Sequence, residues 1–332
     1  MVLKTILLLS LYLVPLALVT IGIATTTFQL FVCFILAGLG MAGVGMGVMH
    51  DANHGSYSKN QKVNKWLGYT LNMVGANSTI WKIQHNVLHH SFTNIEEHDD
   101  DINAPFFLRF SPNAEKNALH KYQHLYAGFF YSLSTLSWIT VKDFVRLKRY
   151  HKMGLVKGEN AYRKTVLKLI GWKIGYFLVA LGLPLIFAPF PVWEILLAYV
   201  AMHAVTGFVI TLIFQTAHVV PEANFPLPNE EGIVEGERML HQLATTCNFA
   251  PKSRLLEWYI GGLNYQVEHH LFPDICHVHY REISKIVKAT AEEFQIPYYS
   301  KPHFLGAVYD HFKMLYLLGN SPEMEPAKSY TK

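Results

Sequence analysis

Histidine is the residue type that most clearly indicates chemistry in this sequence, because three short segments carry two or three histidines each. The segments are "HDANH" at 50–54, "HNVLHH" at 85–90 and "QVEHH" at 266–270. In the first two, histidines four residues apart would lie one above the other on a helix, and the last ring of "HNVLHH" would lie about 100° further round. These segments contain His50, His54, His85, His89, His90, His269 and His270, and "FQTAHVV" adds His218.

So many imidazoles together predict a bound metal. As imidazolium ions they would repel one another, and as neutral rings in a partly dry site each would need a hydrogen-bond partner. Neutral imidazole is the commonest protein ligand of metal ions. Seven or eight nitrogen ligands exceed the three or four that a protein usually gives to zinc, so we expect two ions. The spacing alone does not choose among iron, zinc and copper.

Polar residues beside the histidines are candidates for orienting the rings. Asp51 and Glu268 lie within the first and third segments, and Asp99 and Asp101 lie in "EEHDDD", which follows the second. A carboxylate that accepts a hydrogen bond from a metal-binding imidazole fixes the tautomer and the basicity of that ring. The amides of Gln266 and Asn264 are further candidates near the metal, with a structural role as the alternative for each.

The composition indicates an integral membrane protein, since 51% of the 332 residues are hydrophobic and only 16% are charged. Four apolar stretches are long enough to cross about 30 Å of hydrocarbon. Short links, "TTT" and "PFP", join them into two predicted helical hairpins. The predicted spans are residues 5–24, 28–49, 169–188 and 192–215.

Positive charge predicts the orientation of these spans. All Lys and Arg residues except Lys4 and Lys173 lie within residues 50–168 or after residue 215, and the two links contain none. By the positive-inside rule, both termini and the segments 50–168 and 216–332 face the cytoplasm, together with the histidines. We therefore predict an all-α membrane protein of one domain, residues 1–332, with four transmembrane helices capped by a helical cytosolic domain that holds the metal site. The net charge of +4 does not suggest nucleic acid.

The second apolar stretch ends in "GLGMAGVGMGVMH", which is unusually rich in glycine. Small residues allow helices to approach closely in lipid, and this is the favoured interpretation. The alternative is that the missing side chains leave room for a bound chain.

The three histidine segments, in this order around two predicted hairpins, closely resemble the membrane fatty acid desaturase family from about residue 30 to about residue 300. The resemblance implies that the eight histidines hold two iron ions, and that O2 and two electrons remove two hydrogens from a fatty acyl chain. Gln266 and the flanking "GGLNYQVEHHLFPDICHVHY" are similar to the front-end (delta-5/delta-6-like, linoleoyl-CoA desaturase-like) subgroup. Its members introduce a cis double bond on the carboxyl side of an existing one, in an acyl-CoA or acyl-lipid substrate.

Many front-end enzymes carry a fused cytochrome b5 domain with a His-Pro-Gly-Gly motif, and this sequence contains no such motif. We therefore expect electrons from a separate donor of the ferredoxin or cytochrome b5 type. Basic residues such as Lys142 and Arg146 would bind either that donor or anionic membrane lipid. Two alternatives remain open at this stage, namely a di-iron lipid hydroxylase or epoxygenase on the same scaffold, and a membrane metal transporter.

Overall fold

The computed structural model describes residues 1–234 and 236–321, and these residues are mostly helical. Wider π-helical turns cover Ile83–His89, Trp138–Lys142 and Leu178–Gly182, and 3-10 turns cover Ala118–Tyr122 and His277–His279. Two short strands, β1 (Asn248–Phe249) and β2 (Ser300–Lys301), pair in parallel. The α-helices are α1 Val2–Thr20, α2 Thr27–Gly47, α3 Met49–His54, α4 Gln61–Gly68, α5 Thr70–Met73, α6 Ser78–Lys82, α7 Gln123–Ser137, α8 Asp143–Lys152, α9 Glu159–Phe177, α10 Leu183–Phe187, α11 Val192–His218, α12 Arg238–Thr245, α13 Arg254–Tyr259, α14 Gln266–Leu271, α15 Tyr280–Glu293 and α16 Phe304–Asn320.

Four helical segments are long and apolar enough to cross a membrane: Val2–Thr20, Thr27–His54, Glu159–Phe187 and Val192–His218. Their number and approximate positions agree with the sequence prediction. Their bounds differ, since the first helix begins before residue 5 and ends at Thr20, and the third begins before residue 169 with a polar turn. Hydropathy marks only the apolar part of a helix, whereas backbone hydrogen bonding continues into flanking polar residues.

The chain divides into two compact units, residues 1–83 with 129–211 and residues 84–128 with 212–332. In the first unit, glycines of α2 allow close helix packing. A Cβ atom on Gly40 would collide with the backbone of Leu11 and Tyr12 in α1, and one on Gly38 would lie 2.6 Å from the carbonyl oxygen of Met202 in α11. Thr206 Oγ1 also donates a hydrogen bond of 2.9 Å to the Gly38 carbonyl. These contacts support the close-packing interpretation of the glycine-rich stretch.

Two buried polar groups stabilise the helices of the first unit. The ammonium of Lys173 in α9 lies 3.0 Å from Asp143 Oδ2 and donates to the carbonyls of Gly75 and Trp138 at 3.1 and 3.0 Å. Trp138 Nε1 donates to the other oxygen of the same carboxylate. Both charges are therefore paired and hydrogen-bonded, as a dry environment requires.

The second unit fixes its loops through side chains that bond to distant backbone. Arg109 donates to the carbonyls of Ala114 and Leu318, and the Asn94 amide donates to the carbonyls of His218 and Asn224 at 3.0 and 3.1 Å. His311 Nδ1 in α16 donates to the Val219 carbonyl at 2.9 Å. Because buried backbone polar groups need partners, these bonds hold the end of α11 and the loop after His90 in defined positions.

Candidate metal centre

The segment "HNVLHH" forms a π-helical turn, and this turn places its three histidines on one face. The His90 amide donates to the His85 carbonyl, five residues earlier, at 3.0 Å. In an α-helix, the last ring would point about 100° away from His89, which was the sequence expectation. The wider turn instead brings residue i+5 over residue i, and His90 Nε2 lies 3.3 Å from His85 Nε2. π-Helical turns of this kind are frequent at functional sites.

A first histidine cluster combines three segments of the second unit. One ring nitrogen of each of His89, His218 and His270 lies within 4.8 Å of the others, and all three side chains are buried. Among the residues that the structure describes, His89 Nε2, His270 Nε2 and both nitrogens of His218 have no hydrogen-bond partner. Buried polar atoms without partners are costly, so this cluster has the properties of a metal site rather than of a packed core.

A second cluster lies next to the first. Nε2 of His90 is 3.0 Å from Nε2 of His269, and His90, His269 and His270 also present ring nitrogens within 4.8 Å of one another. Unprotonated ring nitrogens at this distance would direct their lone pairs at each other, so either a proton or a cation must lie between them. In the two clusters and the π-helical turn, the second unit brings together His85, His89, His90, His218, His269 and His270.

Two carboxylates orient rings of the π-helical turn, as the sequence suggested. His89 Nδ1 lies 2.9 Å from both oxygens of Asp99, and His85 Nδ1 lies 3.1 Å from Asp101 Oδ2. The Gln84 amide donates to the other oxygen of Asp101. Each ring therefore donates from Nδ1 and leaves Nε2 for a metal. Burial alone lowers the pKa of His89, but the charge and hydrogen bond of Asp99 and the charge of Asp101 together outweigh it and raise that pKa.

Gln242 in α12 orients a third ring, and the sequence analysis did not single it out. Its Oε1 accepts a hydrogen bond of 2.7 Å from His270 Nδ1, and its Nε2 donates to the His90 carbonyl at 3.2 Å. The pKa of His270 is well below its usual value because the ring is buried and lies beside other histidines. The ring is therefore neutral, with Nε2 as its free lone pair, which is the form that binds metal. A single Gln far along the chain gives no sequence signal for this role.

Tyr280 was also missed, and Glu268 has a different role from the expected one. Tyr280 Oη lies 3.2 Å from His269 Nδ1. Glu268, by contrast, accepts hydrogen bonds from Asn248 Nδ2 at 2.8 Å and Tyr298 Oη at 2.9 Å, and no histidine bonds to it in residues 1–234 and 236–321. Burial raises the pKa of Glu268 to about 7 against the opposing effect of these bonds. Its contacts attach α14 to β1.

The two candidate amides lie in the second unit and are buried. Gln266 begins α14, on the side of that helix that also carries His269 and His270, because these residues are three and four positions apart. Asn264 donates weakly to the Ala250 carbonyl at 3.5 Å. In the part of the chain that the structure describes, Gln266 Oε1 and Asn264 Oδ1 accept no hydrogen bond. Each thus offers a buried oxygen that a water or a metal would satisfy.

The first histidine segment lies in the first unit and forms α3. His50 and His54 are one helical turn apart with ring centroids 4.8 Å from each other. Both rings pack edge-on against Trp81, with centroids 5.6 and 5.7 Å away. Asp51 is buried, but its Oδ1 lies 4.0 Å from His50 Nδ1, which is too long for a hydrogen bond. The two rings are neighbours one helical turn apart, as the spacing predicts, and the partner of Asp51 is not His50.

The donor set of the second unit fits metal ions that accept imidazole. Six histidines supply nitrogen, and partners at Nδ1 fix the ring orientation of His85, His89 and His270 so that Nε2 is the nitrogen turned towards the cluster. None of the candidate metal clusters formed within the described part of this unit includes a cysteine. Iron, zinc and copper are compatible with such ligands, whereas calcium and magnesium prefer oxygen.

Comparisons with known proteins identify the family to which this chain belongs. A family model described as "Fatty acid desaturase" matches residues 25–302. The sn-1 linoleoyl-lipid 6-desaturase of Arthrospira platensis is 34% identical over 305 residues, covering 91% of this chain and 81% of the relative. The acyl-lipid (8-3)-desaturase of Physcomitrium patens is 37% identical over 287 residues, covering 85% and 59% respectively. The chain therefore belongs to the fatty acid desaturase family, whose members are membrane oxidoreductases that generally depend on metal.

Proposed function

We propose that this desaturase binds two iron ions through the histidines of its three segments and His218. The single observation that carries the proposal is the convergence of residues 85–90, His218 and residues 269–270. Within the described residues, the ring nitrogens without a hydrogen-bond partner at this site include His89 Nε2, His270 Nε2 and those of His218. The proposed ligands are His85, His89, His90, His218, His269 and His270, joined by His50 and His54 on the basis of the sequence pattern. When bound, the irons supply the oxygen activation that an alkyl chain requires, because ordinary side chains cannot remove its hydrogens.

The protein side chains hold this centre and set its electronic properties. Three rings are kept in the tautomer that presents Nε2: His89 by Asp99, His85 by Asp101 and His270 by Gln242. Gln266 replaces a histidine in the pattern, and we propose that its buried Oε1 holds a water beside the metal. Asn264 is proposed for a similar role. Asp51 and Glu268 are retained as residues that position the first and third segments.

We further propose that the four apolar helices form two transmembrane hairpins with both termini and the metal centre on the cytoplasmic side. The packing of Gly40 against Tyr12 and of Gly47 against Lys4 supports an antiparallel first pair. The distribution of Lys and Arg supports the orientation. The family model spans residues of both units, which supports one functional domain. The helical segments outside the four apolar helices are proposed to form its cytosolic cap.

The proposed reaction introduces a cis double bond on the carboxyl side of an existing double bond. The names of the relatives support this position, since one is called a linoleoyl-lipid 6-desaturase and another an acyl-lipid (8-3)-desaturase. The reaction takes O2 and two electrons, and we propose a separate acidic donor of the ferredoxin or cytochrome b5 type. Basic side chains of α8, among them Arg146 and Lys148, are proposed to bind that donor or the headgroups of membrane lipid.

Expression in a host that lacks polyunsaturated lipids tests this proposal. We expect a new double bond in a supplied monounsaturated or diunsaturated acyl chain, located by mass spectrometry on the carboxyl side of the existing bond. The variant His270→Ala should form none, and the purified protein should contain about two irons. A hydroxylated product without a new double bond would indicate a hydroxylase instead, and exchangeable zinc without O2 consumption would indicate a transporter.

A further inference from the structure

A polar cleft in the first unit has no role in the metal chemistry described so far. It has a volume of about 430 Å³ and opens to solvent. His54 and Gly55 line one side of it, and α4 and α6 supply most of the rest. Its polar side chains include Asn53, Gln61, Ser78, Thr79, Lys65 and Lys82. The cleft therefore lies beside one of the segment histidines and offers mostly hydrogen-bond donors and positive charge.

The two lysines of the cleft lack a negative counterpart. No Asp or Glu lines the cleft, and neither Lys65 nor Lys82 forms an ion pair within residues 1–234 and 236–321. The pKa of Lys82 is lowered by burial and, secondarily, by the positive charge of Lys65. Like charges so placed destabilise each other, and an anion bound between them removes that cost.

A phosphate group satisfies this arrangement better than the acyl chain does. A phosphate carries one or two negative charges and several acceptor oxygens, which match two ammonium groups together with amide and hydroxyl donors. The carboxyl group of an acyl chain is neutral once it is esterified to its carrier, so it supplies no charge for the lysines. Two phosphate-bearing carriers are common, namely phosphoglycerides and coenzyme A, and both join the phosphate to the acyl group through a polar connector.

We propose that this cleft binds a phosphate group of the acyl carrier, so that Lys65 and Lys82 select phosphate-bearing substrates and position them. The inference rests on the proposed function, since it assigns the carrier of the acyl chain that the metal centre desaturates. It specifies the substrate class as a phosphorylated acyl ester or thioester, in place of a free fatty acid or an uncharged glycolipid.

Binding can be measured without any turnover. The purified full-length protein in an uncharged detergent is titrated with coenzyme A and, separately, with sn-glycerol 3-phosphate, and line broadening is followed by ³¹P NMR. We expect at least one probe to bind, and we expect the double variant Lys65→Gln/Lys82→Gln to bind it about tenfold more weakly or worse. The control is Lys62→Gln, an exposed lysine of α4 that does not line the cleft. Binding of coenzyme A alone identifies the thioester as carrier, and binding of the glycerophosphate identifies the phosphoglyceride.

Turnover supplies the second readout. For a phosphate-bearing acyl substrate, the double variant should raise KM about tenfold and leave kcat unchanged, and Lys65→Arg/Lys82→Arg should restore KM. For an acyl galactolipid, which has no phosphate, neither parameter should change. The inference is overturned if neither probe binds, or if the glutamine variant binds and turns over like Lys62→Gln. If lysine-dependent binding is present but no acyl chain is desaturated, the proposed function fails and the phosphate site stands.

Discussion

His89 and Asp99 form a buried pair in which one ring nitrogen lies 2.9 Å from both oxygens of one carboxylate. Neither side chain is exposed to solvent. The backbone amides of Asn94 and Asp101 each donate to this carboxylate at 2.9 Å, so the acid cannot rotate away from the ring. His89 is thereby fixed in the tautomer with its proton on Nδ1, and its Nε2 is available to an ion shared with His218 and His270.

The variant Asp99→Asn should lose metal. An amide at this position must direct an NH2 group towards one of three donors that now bond to oxygen, so the ring loses its fixed orientation. We expect metal affinity to fall by about 10-fold to 100-fold, as for other partners of metal-binding histidines. Iron content after dialysis against a chelator measures the effect.

Glu97→Gln is the matched control for that variant, because Glu97 is an exposed acid of the same loop. It should retain wild-type iron content. If Asp99→Asn retains as much iron as Glu97→Gln, the carboxylate does not hold the ring for metal binding.

Gln242→Leu should lower the metal affinity of the centre by removing the partner that orients His270. It removes the closer acceptor of the His270 Nδ1 proton and leaves only the hydroxyl of Thr93, 3.3 Å away, beside that buried N–H, at a cost of about 1 kcal/mol in stability. We expect both a lower thermal midpoint and a lower iron content. Gln242→Glu keeps an acceptor oxygen and should retain more iron than Gln242→Leu. Equal iron contents for the two variants would contradict the assigned role.

Breaking the Lys173–Asp143 pair should strongly destabilise the first unit. Lys173→Met leaves a buried carboxylate without its cation, and we expect a loss of about 3–5 kcal/mol. The double variant Lys173→Met/Asp143→Leu should lose less than Lys173→Met alone, because no unpaired charge remains. Lys164→Met, at an exposed lysine of the same helix, should be neutral. Thermal unfolding in detergent measures all three, and a double variant as unstable as the single one would refute the pairing argument.

The folded state should become less stable as the pH is lowered, because His311 is buried in its neutral form. Burial lowers the pKa of this ring to about 4, while its bond to the Val219 carbonyl opposes the shift only partly. The unfolded chain, with a pKa near 6.5, therefore binds the proton first as the pH falls, and the folded state loses stability between about pH 6.5 and pH 4. Between pH 7 and pH 5 the loss attributable to this residue is about 2 kcal/mol.

The comparison of wild type with His311→Gln isolates this contribution from that of the other histidines. The variant should be less stable than wild type at pH 7, and the difference between them should shrink towards pH 5. A difference that stays constant with pH would show that His311 does not titrate in this way.

Pattern alone was sufficient to predict the four apolar helices and to single out the histidines that the second unit gathers into candidate metal clusters. The acids Asp99 and Asp101 were also among the predicted partners, because they follow "HNVLHH" closely in sequence and carboxylates commonly bond to metal-binding imidazoles. These predictions succeeded where a residue type recurs at a fixed spacing or lies close to such a pattern. Helix bounds were less accurate, since polar turns extend α9 before its apolar part.

Pattern could not predict the contacts made by single residues that are distant in sequence. Gln242 and Tyr280 bond to rings of the centre, but one amide and one phenol have no spacing that distinguishes them. The π-helical turn was missed for another reason. The order of apolar and polar residues in this segment is compatible with an α-helix and with a π-helix. Only the burial of all three rings around one site favours the π-helical turn.

The wide turn at Ile83–His89 accommodates one residue more than an α-helix would hold between the same rings. Val87 is 43% exposed, whereas Leu88 is buried, so Val87 is the position at which this extra residue is most easily spared. Its removal would change the spacing of the three histidines to i, i+3 and i+4, which an ordinary α-helix also places on one face. We therefore expect a relative with one residue fewer between these histidines to form an α-helix here and still direct all three rings to the same side.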